Sequence, residues 1–241
     1  MSGIDELISS YSFLVTGYAI LLLLGLSLLS LRIKHLSKLM KRLLFGSIVA
    51  VTLVPTFFLA GSTIYLNTIS SSGGPVHWHA DFEIWKCGQE VELLDPTGLS
   101  NKVGTSVLHE HNDKRIHLEG VVVKPADASL GKFFYVVGGK LDKDIAIIPS
   151  HGGNVILEAQ ACNEIIPFAQ LQVFAFKTDN KGYYIQEKLT NPADYIISPF
   201  GTVPSGDCII VELDSPKDRT ERLCQSYKAA IQTGKLKGER L

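Results

Sequence analysis

Five of the seven histidines of this 241-residue chain fall between residues 77 and 117. They are His77, His79, His109, His111 and His117, arranged as two His-x-His pairs and one Ile-His. On a β-strand, residues i and i+2 point to the same side, roughly 6–7 Å apart. Two imidazoles at that spacing can grip one metal ion, and a third from a neighbouring strand completes a three-histidine set. The segments carrying them have the required period. In 77–86, HWHADFEIWK, Trp78, Ala80, Phe82 and Ile84 share one face, and His77, His79, Asp81 and Glu83 share the other. Around the polar turn Asn112–Arg115, Leu108 opposes His109 and His111, while Ile116 and Leu118 oppose His117 and Glu119. Putting every aliphatic residue of 107–111 and 116–120 on one face demands an odd number of loop residues. His109 or His111 then faces His117, and a neighbouring strand 77–86 brings the set to five. The competing reading is a solvated sheet face that happens to carry histidines.

The donor set narrows the ion. Both methionines, Met1 and Met40, precede this region, and the pattern offers no free thiolate, which argues against a blue-copper site. Imidazole-rich sites suit copper(II) or zinc. Four or five imidazoles favour copper, because most catalytic zinc sites use three. Nickel and iron remain open. Asp81, Glu83, Glu110, Asp113 and Glu119 lie close by, and Glu119 and Asp81 are the candidates to orient ligands from behind. Glu119 or Glu110 is the candidate base if the site hydrolyses anything. His151 is a further loop ligand of lower standing, and His35 belongs with a basic cluster. No Gly-x-Ser-x-Gly, His-Glu-x-x-His or phosphate loop occurs in the sequence, so no catalytic residue is assigned. Ser205-Gly206-Asp207 reads as a tight turn entering a strand.

The elements that position these residues follow from the flanking pattern. Short strands are expected at 90–94, 105–111, 116–124, 145–149, 154–160, 171–177, 183–189 and 207–213, with a turn at Lys177–Gly182. A short helix is expected from Asp127 to Phe134, capped by Asp127 or Ser129. Asp214–Leu236 has helical spacing and predicts a surface helix, followed by a tail to residue 241. Upstream, Thr68–Val76 is rich in Ser and Gly and reads as a flexible tether.

Residues 11–31 carry no charge, and from Leu43 to Ala80 there is no Asp, Glu, Lys or Arg. A membrane-crossing helix needs roughly 20 apolar residues, which predicts spans at 11–31 and 43–67. Asp5 and Glu6 precede the first apolar run, where a signal peptide carries positive charge. Residues 32–42, RIKHLSKLMKR, hold five basic side chains and belong on the cytoplasmic side. The chain is therefore expected in the plasma membrane with two spans, its main domain outside. Small residues Gly25, Ser27, Gly46, Ser47 and Ala50 pack the spans against each other or against a membrane-protein partner. Pro55 is a candidate kink.

Residues 1–67 carry a net charge of +3 and residues 68–241 a net of −4. The acidic balance of the second part gives no basis for nucleic-acid binding. All four cysteines, Cys87, Cys162, Cys208 and Cys224, lie in the second part, with no Cys-x-x-Cys. An even count outside the cytoplasm implies two disulfides. Of three connectivities, Cys208–Cys224 is favoured because it ties a strand to the helix after it, leaving Cys87–Cys162.

HWHADFEIWKCGQEVEL, LHEHNDKRIHLEG and LGKFFYVVGGKL, in that order, resemble a group of small bacterial and archaeal extracytoplasmic proteins. LQVFAFK, NPADYIIS and DCIIVEL are similar to that group's closing strands, so the likeness covers His77–Leu213. It implies a layout and histidine positions, and no activity. Members often follow a single N-terminal anchor, so two spans are a departure.

The expected fold is α+β: a two-helix transmembrane hairpin (1–67), a tether (68–76), a mainly β domain (77–213) with one or two short helices, and a C-terminal helix and tail (214–241). The function it supports first is capture of copper or zinc at the outer face by a domain anchored in the lipid bilayer, as an accessory subunit of a membrane complex. A structural or adhesion subunit without metal is the second reading, and a metal-dependent hydrolase the third.

Overall fold

The computed structural model describes residues 4–33, 35–97, 99, 101–201 and 206–240. Lys34 and Ser205, each part of a pattern above, lie outside the described residues. The chain divides into two compact units, one ending at Gly74 and one starting at Pro75.

The first unit is a helical hairpin. Helix α1 spans Ile4–Arg32 and α2 spans Lys38–Ile69. Ser37 caps α2, its hydroxyl accepting from the Met40 amide at 3.2 Å. Both helices are long and apolar enough to cross a membrane. Leucine, isoleucine and phenylalanine side chains such as Leu14, Leu21, Leu28, Phe45, Phe57 and Ile64 are exposed along them. Such surface is costly in water and natural in lipid. The basic cluster 32–42 is not all loop, because Lys38–Arg42 already form the first turns of α2. At the other end α2 runs to Ile69, so the connector is shorter than the expected 68–76 tether. It is Ser70–Gly74, with Gly73 and Gly74 in left-handed or extended positive-φ conformations (φ 69° and 140°).

Among the described residues the second unit has two sheets, two α-helices and two short 3-10 helices, Pro125–Ala128 and Pro192–Asp194. Its strands are β1 (Pro75–Lys86), β2 (Gln89–Glu90), β3 (Val103–Gly104), β4 (Leu108–Glu110), β5 (Arg115–Val121), β6 (Lys140–Leu141), β7 (Ile145–Ser150), β8 (Gly153–Glu158), β9 (Gln170–Thr178), β10 (Tyr184–Lys188) and β11 (Asp207–Asp214). Helix α3 spans Leu130–Val136 and α4 spans Gln225–Gln232. The large sheet has the order β10-β9-β11-β1-β5-β4-β3, with β2 on the end of β1, and β6-β7-β8 form the small one. Neighbours in the large sheet are antiparallel except β1 and β11, which run parallel from Ala80↔Asp207 to Lys86↔Leu213.

The apolar face of β1 builds the main core. Ala80, Phe82 and Ile84 pack with Ile116 and Leu118 of β5, Ile209 and Val211 of β11, and Val173 of β9. Leu130, Phe133 and Phe134 of α3 and Ala146, Ile148 and Leu157 of the small sheet close it. Each such side chain contributes about 1.5–3 kcal/mol on burial. Ser129 caps α3, accepting from the Lys132 amide at 3.1 Å. On the opposite face, Phe174, Phe176, Cys208 and Ile210 meet Leu223, Cys224 and Tyr227 in a second, smaller core.

Two disulfides fasten these parts. Cys87–Cys162 (Cα–Cα 5.4 Å) ties the β1–β2 hairpin to the segment after β8, and Cys208–Cys224 (5.8 Å) ties β11 to the residue before α4. Cys87 and Gly88 both have positive φ (52° and 83°), the requirement of a two-residue type I′ turn.

Two expected elements differ. A strand over 90–94 is reduced to Glu90, because Leu93 is buried and Leu94 donates to Pro149 O (2.9 Å), carrying the chain across to the small sheet. The expected helix over 214–236 is confined to 225–232. Asp214 ends β11, and side chains pin the residues after it flat on the sheet. Lys217 and Arg222 reach the fully buried Glu212 (3.1 and 3.2 Å), and the amide of Thr220 donates to Gln186 (3.1 Å). Pro216 also works against helix at its preceding residue.

Candidate metal site

The register of three adjacent strands sets the histidines. In β1 and β5, His77 stands opposite Glu119, His79 opposite His117, and Asp81 opposite Arg115. In β4 and β5, His109 stands opposite His117, with an odd loop between. One row therefore reads His79–His117–His109 across β1, β5 and β4, and all three side chains leave the sheet on the face away from the main core. Ring centroids are 5.0 Å apart for His79 and His117, and 5.7 Å for His109 and His117. His77 sits 4.5 Å from His79, and His111 sits 4.7 Å from His109 and 4.9 Å from His117.

Three of the five converge. His77, His79 and His117 each offer a ring nitrogen, and these nitrogens lie within 4.8 Å of one another. That group can hold a metal ion. His109 and His111 stand beside it, on the other side of His117, so the five do not share a single point.

Carboxylates sit behind two of the three. Glu119 Oε1 lies 2.9 Å from His77 Nε2, and Asp113 Oδ2 lies 3.0 Å from His117 Nε2. In the neutral ring each contact places the proton on Nε2 and leaves the lone pair on Nδ1. His79 is 2% exposed, and its Nδ1 has no hydrogen-bond partner. A buried imidazole nitrogen left this way is costly unless something binds it. Burial, reinforced by the neighbouring His117 and His77 rings, holds the His79 pKa down at about 4. Burial brings His109 to about 4 as well, against the opposing pull of Glu119. Both rings are neutral near pH 7, the form that ligates. Burial raises the Asp113 pKa, but the hydrogen bond and charge of His117 with the charge of Arg115 outweigh it, leaving Asp113 below its ordinary value.

The other candidates lie elsewhere. Asp81 accepts from Arg115 Nε at 2.7 Å, so it neutralises a guanidinium and backs no histidine. Glu110 is buried, and its Oε1 accepts from the amides of Asp113 (2.6 Å) and Lys114 (3.2 Å), which makes it a brace for the β4–β5 turn. His151 pairs with Asp95 at 2.9 Å at the turn between β7 and β8. Asp113 had no distinguishing sequence signal beyond standing four residues before His117. It reaches that ring because Asn112 and Lys114 take left-handed φ values (65° and 57°), folding the turn back over β5.

Compared with protein-family models, curated proteins and solved structures, the chain matches none of them.

Proposed function

We propose that this chain is a membrane-anchored protein that binds zinc or copper(II) on an extracytoplasmic domain, with His77, His79 and His117 as ligands. The observation that carries the reading is the convergence of three ring nitrogens from two paired strands, one belonging to a buried ring with an unpartnered nitrogen. The carboxylates on His77 and His117 support it, since metal-bound histidines almost always donate their second N–H to an acceptor. With three imidazoles converging, the argument for copper over zinc no longer applies, because three-histidine sets suit zinc equally. The ion would supply Lewis acidity and charge. The chain's own residues orient the ligands, and burial keeps His79 neutral.

The anchoring part rests on two helices of spanning length, a basic connection between them, and two disulfides in the domain beyond. The hairpin is the surface by which a membrane-protein partner would hold the chain.

The test is equilibrium dialysis of the full chain in detergent micelles, after chelator treatment, against Zn²⁺ or Cu²⁺ with elemental analysis. His77→Ala and His117→Ala should each weaken retention at least tenfold. Retention unchanged in both variants would refute the site.

A further inference from the structure

The two histidines outside the converging group stand ring to ring on its β4 side. His109 is 1% exposed and its Nδ1 has no hydrogen-bond partner, while its Nε2 faces Glu119 Oε2 at 3.9 Å. His111 stands 4.7 Å from it, ring to ring, with Nδ1 2.5 Å from the carbonyl of Asn101. A carbonyl can only accept, so His111 Nδ1 carries the proton and Nε2 keeps the lone pair. In its neutral form His111 therefore presents Nε2, while His109 offers a buried, unpartnered Nδ1, the Glu119 oxygen at 3.9 Å from its Nε2 lying beyond hydrogen-bond distance.

We infer that His109 and His111 form a second metal position beside the first, taking the same class of ion, divalent zinc or copper. The inference rests on the reading of His77, His79 and His117 as the first position. Glu119 links the two: one carboxylate oxygen lies on His77 Nε2 and the other faces His109 Nε2. His117 lies between them, its ring 5.0 Å from His79, 4.9 Å from His111 and 5.7 Å from His109. The second position has two imidazoles where the first has three, so it binds more weakly and fills second. An His109 ring placed only to pack would not need a lone pair buried without a partner.

The experiment is a calorimetric titration of metal-free full chain in detergent with Zn²⁺ alone, repeated with Cu²⁺. The wild type should take two ions in two steps. His111→Ala, a change at a partly exposed ring, should remove the second step and leave the first. His77→Ala should weaken the first at least tenfold and leave one ion bound. A wild type that takes one ion overturns the second position and leaves the first. No uptake at all overturns both. Two ions in the His111→Ala variant would also overturn the assignment, because the second ion would then sit elsewhere.

Discussion

The two buried rings should make the β domain acid-labile, and the effect can be worked from the structure. In the unfolded chain His79 and His109 take a proton near pH 6.5; folded, both resist until about pH 4. Between those values the unfolded state binds more protons, so stability falls as pH falls. The stability is fully present above pH 6.5 and is lost on the way down to pH 4. At about 1.4 kcal/mol for each tenfold in proton affinity, the loss is on the order of 3 kcal/mol per ring. Two rings together, about 6 kcal/mol, exceed the low end of a domain's whole stability, about 5–15 kcal/mol. The assay is urea unfolding of the metal-free chain in detergent at pH values from 7 to 4. Trp78 and Trp85 are the only tryptophans and both lie in β1, so their fluorescence reports the β domain alone. The wild type should lose up to about 2.7 kcal/mol per pH unit in mid-window from these two groups. A His79→Gln/His109→Gln variant should lose that part of the slope, whatever its absolute stability. Equal slopes in the two proteins would refute the claim that these rings are buried neutral.

Other consequences are accessible with single variants. Cys87–Cys162 closes 75 residues and Cys208–Cys224 closes 16. Chain entropy assigns them about 4.5 and about 3 kcal/mol respectively. Urea midpoints of Cys87→Ala/Cys162→Ala and Cys208→Ala/Cys224→Ala should therefore rank the first as the more damaging, and the reverse order would show that the second core under α4 dominates. If the basic connection faces the cytoplasm, a thiol introduced as His35→Cys should resist a membrane-impermeant maleimide in intact cells and react after permeabilisation. Labelling in intact cells would invert the topology.

Much of the site could be read from alternation alone. His77, His79, Asp81 and Glu83 on one face of β1 needed only the period of a strand, and the odd loop put His109 or His111 opposite His117, of which the structure has His109. That works because a one-residue slip would expose Leu108, Ile116 and Leu118. What the pattern could not convey was set by partners far away in sequence. The parallel pairing of β1 with β11 has no local signature. Nor does the second core, where Phe174, Phe176 and Ile210 look like ordinary alternate residues until Tyr227 covers them. The stretch from Ser215 to Cys224 has good helix formers, yet Glu212 is buried and draws Lys217 and Arg222 down onto β11. Its propensity is overruled by pairing to a carboxylate whose burial no local window reveals, and by Gln186 holding the Thr220 amide from 34 residues away. The role expected of Asp81 falls to Asp113 for a similar reason: Arg115 claims the first, and the left-handed turn delivers the second to His117.

The account turns on imidazole nitrogens from β1 and β5 binding one ion, and X-ray absorption on the full chain loaded with one equivalent of Zn²⁺ measures that most directly. The expected spectrum has a nitrogen shell near about 2.0–2.1 Å with the multiple-scattering signature of three imidazoles, reduced in His77→Ala and His117→Ala. An oxygen shell without imidazole scattering, or a spectrum indifferent to both substitutions, would contradict it.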